Sequence, residues 1–248
     1  MTLEQFFKEN KRVAIAFSGG VDSAYLLYAA MQNGADAKAY FVKSAFQPQF
    51  ELEDAVTLAS QLGARMEVLE VDVLCKENIT ANPVDRCYYC KKVIFETIVE
   101  AATKDGYPLL IDGTNASDDS ADRPGMKALT ELSIRSPLRE CGLTKDEIRR
   151  LSKEASLFTW DKPAYACLAT RIPTGEAITL EKLQRTEAAE NFLSSLGFAD
   201  FRVRSREGMA KIQVTAEDLP RIIENREAVF EELKRYYKEV TLDLEVRK

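Results

Sequence analysis

The chain is 248 residues long, enough to bury one substantial core, or one core and a small accessory domain. Its net charge of −6 argues against nucleic acid as the main partner, because neutralising a phosphate backbone needs a basic face. Histidine is absent, which removes Ser-His, Cys-His and His-ligated metal chemistry in one step.

No apolar run approaches a membrane span and the first residues lack signal-peptide form, so a cytosolic protein without a membrane partner is expected. In that setting the five cysteines read as thiols or metal ligands rather than structural disulfides.

Residues 1 to 10 read as a short amphipathic helix that feeds an apolar β-type run, Arg12 to Phe17. The run ends in Ser18-Gly19-Gly20-Val21-Asp22-Ser23, and Ala24 to Met31 continues as a buried helix closed by Asn33-Gly34. A strand that delivers a Gly-Gly turn into a helix start leaves backbone N–H groups without partners under a positive dipole end, which suits an anion. Gly19 and Gly20 let a phosphate approach, Ser18 and Ser23 offer hydroxyls, and Asp22 can hold Mg²⁺. This is not a Walker A loop, and it lacks the third glycine of the dinucleotide fingerprint. The plainer reading is a strand-to-helix turn capped by Asp22.

Ala37 to Val42 is the next strand, with Ser44 just past it grouped among the nucleotide contacts. A helix over 52–62 closed by Gly63, a strand over 64–71 and a helix over 84–103 follow, with Pro83 near the start of the last. The run Pro108 to Asn115 reads as a fourth buried strand, so Asp112 and Gly113 fall on the same sheet edge as the Ser18 loop. Alternating strands and helices predict an α/β fold with a doubly wound parallel sheet. Asn115 to Gly125 reads as a mobile polar loop in which Asp118 and Asp119 are solvated. Ser133 to Leu138 is predicted as a short strand, and 143–155 as a helix with a Thr144/Glu147 capping box.

After about residue 175 the composition changes. A helix over 180–196, strands over 200–206 and 210–214 around Glu207-Gly208, a helix over 217–236 and a strand over 239–246 predict a small C-terminal α+β domain. The expected domains are thus 1–175 and 176–248, the second binding substrate and assembling copies of the chain into a homo-oligomer.

Cys87 and Cys90, spaced C-x-x-C near a helix start, place two thiols on one face under the positive end of the dipole. With Cys167 the set has three cysteines and leaves one corner open, as on a [4Fe-4S] cluster whose fourth iron is free for a small ligand. Structural zinc would need Cys75, Cys141 or an acid as a fourth ligand, and a redox dithiol lacks a thioredoxin-like context. Small buried thiols are the plain alternative. Arg202 and Arg204 share one face of a strand, with Arg206 extending the stripe, so a phosphate can meet both. Arg171 is placed to hold a carboxylate or phosphate near Cys167.

The loop Ser18 to Ser23 resembles that of the ATP pyrophosphatases, the superfamily containing NAD synthetase, GMP synthetase, argininosuccinate synthetase and the RNA thiolases. Further segments make the likeness specific: Tyr88-Tyr89-x-Lys91-Lys92, Asp112-Gly113-Thr114, Asp122-Arg123-Pro124-Gly125-x-Lys127-Ala128, Cys167 to Pro173, and Arg202-Val203-Arg204. Together they resemble a LarE-type sulfur transferase over nearly the whole chain. The resemblance implies ATP and Mg²⁺ as cofactors and a small mononucleotide substrate of nickel-pincer nucleotide cofactor synthesis. A carboxylate of the pyridinium ring would be adenylated and then converted to a thiocarboxylate. In the best-known form of the family the cysteine matching Cys167 gives up its own sulfur, and positions 87 and 90 are not cysteine. Forms with all three cysteines resemble cluster-dependent thiolases, so the resemblance implies a [4Fe-4S] cluster on Cys87, Cys90 and Cys167 that carries exogenous sulfide of open source, with Cys167 as its own sulfur donor the alternative. Lys145 matches a lysine that faces ATP phosphates in the superfamily. Glu190 matches an acid of the family's accessory helix, where a surface position is the plain expectation. An ammonia-dependent adenylating ligase, an RNA thiolase and a nucleotide-binding regulator remain the competing classes.

Overall fold

The computed structural model describes residues 1–118 and 124–247. Asp119, Asp122 and Arg123 lie outside the described residues. The chain divides into two compact units, one made of Met1–Val73 and Asp85–Tyr165, the other of Leu74–Val84 and Ala166–Lys248.

In chain order the elements are α1 (Leu3–Glu9), β1 (Arg12–Ala16), α2 (Val21–Gln32), β2 (Asp36–Lys43), α3 (Gln49–Leu62), β3 (Arg65–Glu70), α4 (Glu77–Thr80), α5 (Arg86–Lys104) and β4 (Leu110–Ile111). They continue as α6 (Pro124–Glu131), α7 (Pro137–Glu140), α8 (Lys145–Glu154), α9 (Leu180–Ser195), β5 (Phe201–Arg206), β6 (Met209–Val214), α10 (Leu219–Glu224), α11 (Arg226–Leu233) and β7 (Glu239–Leu242). Two 3₁₀ turns, Phe158–Asp161 and Leu168–Arg171, complete the set.

In the larger unit four parallel strands lie in the order β3-β2-β1-β4. Successive side chains of β1 leave by opposite faces: Val13 and Ile15 pack with α2, while Ala14 packs with Phe95, Ile98 and Ala102 of α5. Both faces of β1 are therefore buried, which is why it reads as a continuous apolar run. Each fully buried Leu, Ile or Phe contributes about 1.5–3 kcal/mol relative to exposure. Gly63, at φ 63, closes α3 in the left-handed conformation expected of a terminal glycine.

In the smaller unit β5 and β6 are antiparallel and β6 and β7 parallel. Glu207 and Gly208, at φ 49 and 82, make the tight turn whose twist matches a two-residue hairpin. Val203, Ile212 and Val214 bury one sheet face against Leu193 of α9 and Val229 and Leu233 of α11.

Several expectations change. Residues 133–138 form no strand: Arg135 makes only an isolated bridge with Ile111, and Pro137, lacking an N–H, starts α7 instead. The helix over 217–236 is broken at Asn225 into α10 and α11. Pro124 begins α6, so helix occupies the end of the segment expected to be loop. The division also differs from a boundary at Gly175. Asn82, at φ 54, donates its side-chain amide to the carbonyls of Pro173, Ile172 and Glu176 at 2.7, 3.3 and 3.2 Å and accepts the Gly175 N–H at 2.8 Å. Those bonds tie residues 74–84 to the beginning of the smaller unit.

Candidate active site

The sheet order makes β1 the point where the winding reverses, because the chain runs outward from β1 to β3 and then returns on its other side as β4. Open α/β sheets bind ligands outside the carboxyl ends of the strands at such a point. Here that position is filled by the Ser18 loop and by Asp112-Gly113. Gly19 stands at φ 71, and a Cβ on it would lie 3.2 Å from the Ala55 Cβ and from backbone atoms of Glu51 and Ala55, so conformation and space both require glycine. Gly20 is the N-cap of α2 and supplies no side-chain cap. The first-turn N–H groups thus have neither an intrahelical acceptor nor a capping oxygen, which leaves them for an anion. Asp22 lies within the helix and does not cap it. Ser23 Oγ accepts the Ser18 N–H at 3.2 Å and lies 3.1 Å from Ser18 Oγ, bracing the turn.

Gly113 fits against α2 so closely that a Cβ would come within 2.9 Å of the Ser23 nitrogen. Asp112 accepts from Thr114 Oγ1 at 2.5 Å and Ser136 Oγ at 2.6 Å, so its carboxylate fixes the turn after β4. Lys145, the first residue of α8, reaches back to Asp22 Oδ2 at 2.5 Å, and Asn115 donates to Asp22 Oδ1 at 3.3 Å. The Thr144/Glu147 capping box that sets the start of α8 is present. Ser44 donates to Gln47 Oε1 at 2.7 Å and closes the turn after β2. The loop, Asp112, Gly113 and Lys145 are therefore gathered at one sheet edge, with Asp22 a carboxylate able to take Mg²⁺ beside amides able to take phosphate. Asn115 and Ser136 could not be singled out from sequence, since each is recruited by a partner far along the chain.

Cys87 lies in the first turn of α5 and Cys90 at the start of the second, Cys87 exposed and Cys90 buried, and Asp85 provides no side-chain cap. Arg86 Nη2 is 3.6 Å from Cys87 Sγ. Cys167, half-buried, is the N-cap of the 3₁₀ turn Leu168–Arg171 in the smaller unit. Among the described residues no three Cys, Asp or Glu side chains group as ligands for a metal ion. The soft thiolates suit iron or zinc in kind.

Arg171 departs from its expected role. Its Nε and Nη2 meet Glu190 Oε1 and Oε2 at 2.7 and 3.0 Å, and its Nη1 donates to Ala166 O and Thr170 Oγ1. Glu190, expected on a helix surface, is 3% exposed. Arg202 and Arg204 lie on one face of β5, as their spacing predicts. Arg204 donates Nη1 to Thr170 O at 2.9 Å and Nε to Gln213 Oε1 at 2.8 Å. Arg202 is 3.6 Å from Asp200, which also accepts from Arg247 Nε at 2.9 Å. Burial, with help from the charges of Arg171 and Arg247, lowers the pKa of Arg202 to about 10 and lowers that of Arg204 by the same causes. Their cationic forms are under-stabilised, and an added anion would relieve them. Arg247 was missed in the sequence because it belongs to no periodic face.

No family model matches the chain. It is 41% identical over 224 residues to an uncharacterized protein of Synechocystis sp., covering 90% of this chain and 84% of that one. It is 33% identical over 246 residues to the pyridinium-3,5-bisthiocarboxylic acid mononucleotide synthase of Lactiplantibacillus plantarum, covering 98% of this chain and 89% of that enzyme. The tRNA-specific 2-thiouridylase MnmA of a Thermotoga species is 26% identical across 84% of this chain and 72% of its own.

Proposed function

The chain belongs to the LarE-type pyridinium-3,5-bisthiocarboxylic acid mononucleotide synthase family of the ATP pyrophosphatase superfamily, and on that premise we propose that it thiolates a carboxylate of a pyridinium mononucleotide at the expense of ATP. The product would serve nickel-pincer nucleotide cofactor synthesis. A ring carboxylate oxygen attacks the α phosphate and expels pyrophosphate, giving an acyl-adenylate. The α2 amides and Lys145 are the groups that would meet the charge on the phosphates. Asp22 would hold Mg²⁺, which screens the leaving pyrophosphate. Arg202 and Arg204 would hold the phosphate of the mononucleotide.

The Cys167 thiolate then attacks the acyl carbon and AMP leaves, forming a thioester. Removal of the Cys167 Cα proton and cleavage of its Cβ–S bond would release the thiocarboxylate and leave dehydroalanine. The observation that supports this reading is the bond from Arg204 to Thr170 O, because it joins the side chain proposed for the phosphate to the turn capped by Cys167.

The finer reading concerns the source of sulfur. Cys87, Cys90 and Cys167 would be the ligands of a [4Fe-4S] cluster, which when bound supplies an open iron for exogenous sulfide. The support for it is chemical: three thiolates, two of them within one helical turn, in a chain without histidine. In the second reading the sulfur is that of Cys167 itself.

The test supplies ATP, Mg²⁺ and pyridinium-3,5-biscarboxylic acid mononucleotide, and follows pyrophosphate and the thiocarboxylate by mass. Cys167→Ala should release pyrophosphate and make no thiocarboxylate; thiocarboxylate formation by that variant overturns the proposal. About four iron per chain after anaerobic reconstitution, lost in Cys87→Ala, would select the cluster. Loss of one H₂S from the intact mass after turnover would select the sacrificial cysteine.

A further inference from the structure

Arg171 and Glu190 form a pair whose side chains are 0% and 4% exposed. A guanidinium and a carboxylate joined in two places have a fixed relative orientation, and burial prevents water from substituting for either partner. Each partner also holds backbone. Glu190 Oε1 accepts the N–H of Val203 at 2.9 Å, and Val203 stands between Arg202 and Arg204 on the edge strand β5. Arg171 Nη1 donates to Ala166 O at 2.9 Å and to Thr170 Oγ1 at 2.8 Å, and Thr170 Oγ1 in turn donates to Cys167 O at 2.8 Å. The carbonyls on both sides of the Cys167 residue are thereby fixed, and the chain of bonds ends on the strand that carries the two arginines.

We infer that the Arg171–Glu190 pair, through Thr170, is a positioning device that fixes the Cys167 thiol against the Arg202/Arg204 strand, and that Arg171 is not itself a substrate ligand. The inference rests on the reading of Cys167 as the sulfur-transfer residue. A thiolate that must reach an acyl carbon on a ligand held by its phosphate needs a constant distance between thiol and phosphate site. A misplacement of about 1 Å can cost about a hundredfold in rate.

Because removing either charge endangers folding, the decisive variant is Thr170→Val, which deletes the hydroxyl link and leaves the buried pair intact. With ATP, Mg²⁺ and pyridinium-3,5-biscarboxylic acid mononucleotide, pyrophosphate release should persist while thiocarboxylate formed per pyrophosphate falls about tenfold, and Thr170→Ser should restore the ratio. In parallel, iodoacetamide should label the Cys167 peptide several-fold faster in Thr170→Val than in the wild type. Unchanged labelling with an unchanged ratio, or with both products falling together, overturns the inference. A wild-type protein that releases no pyrophosphate would fail the functional reading alone, since the labelling comparison still decides the positioning claim.

Discussion

Lys145 and Asp22 in the larger unit and Arg171 and Glu190 in the smaller are both cation–carboxylate pairs, yet the first keeps 30% and 23% of its side-chain surface exposed and the second 0% and 4%. Lysine is a mobile point charge, and an exposed pair of this kind contributes only about 0–1 kcal/mol, so it can exchange partners. In the proposed reaction Mg²⁺ would take Asp22, and Lys145 would be free to turn to a phosphate. Arginine is a planar fork, and once buried against a carboxylate it keeps its geometry. On the proposed reading opposite charges would do different work in the two units: exchange beside the Ser18 loop, and fixation beside Cys167.

The sharpest way to break this contrast is to neutralise one acid from each pair. Glu190→Gln leaves a buried guanidinium uncompensated and should destabilise the fold by about 3–5 kcal/mol, read from the urea midpoint of the far-ultraviolet dichroism. A loss below about 1 kcal/mol would show that the pair is not locked. Asp22→Asn should unfold at nearly the wild-type urea concentration while pyrophosphate release falls about 10²–10³-fold. If its main effect were on stability, the exchange reading would fail.

Gly113→Ala sharpens the comparison from the backbone side, because the new Cβ would press on the Ser23 nitrogen. Its overpacking should cost about 1–3 kcal/mol in chemical denaturation and raise the KM for ATP, and an unchanged KM would separate Gly113 from the nucleotide site.

The smallest effect is expected at Asp243, a half-buried acid bonded to Lys211 at 2.7 Å and Gln213 at 2.7 Å. Lys211 above all, then Gln213 and the Glu245 N–H, hold its carboxyl down from 3.8 to about 2. A carboxyl depressed by folding stabilises the native state above its unfolded value, and this stabilisation is lost as pH falls through the folded value. Acid unfolding of Asp243→Asn should therefore show less pH dependence between 3.8 and about 2, and an unchanged acid limb would place the effect elsewhere.

Much of the larger unit was legible in the chain because its signals are local. The Gly63 cap, the Thr144/Glu147 box and the Asn33-Gly34 closure each depend on residues within one or two turns. The smaller unit was read less fully. Asn225 interrupts an otherwise continuous helical pattern, and the pairing of residues 74–84 with residues 172–178 leaves no local trace. The 133–138 segment failed for a different reason: its apolar pattern suited a strand, but Pro137 favours a helix start.

Near-neighbour signals carry the Ser18–Ser23 turn, the alternation that makes a doubly wound sheet, the C-x-x-C spacing and the common face of Arg202 and Arg204. Those follow from backbone conformation and from the two- and 3.6-residue periods, which act between near neighbours. Only the tertiary structure decided which charges pair. It gave Lys145 to Asp22 and Arg171 to Glu190, and it converted Glu190 from an expected surface acid into a buried anchor. The physical reason is that periodicity tells a side chain which face to take, whereas its partner is chosen by the distant segments that burial brings into hydrogen-bonding reach.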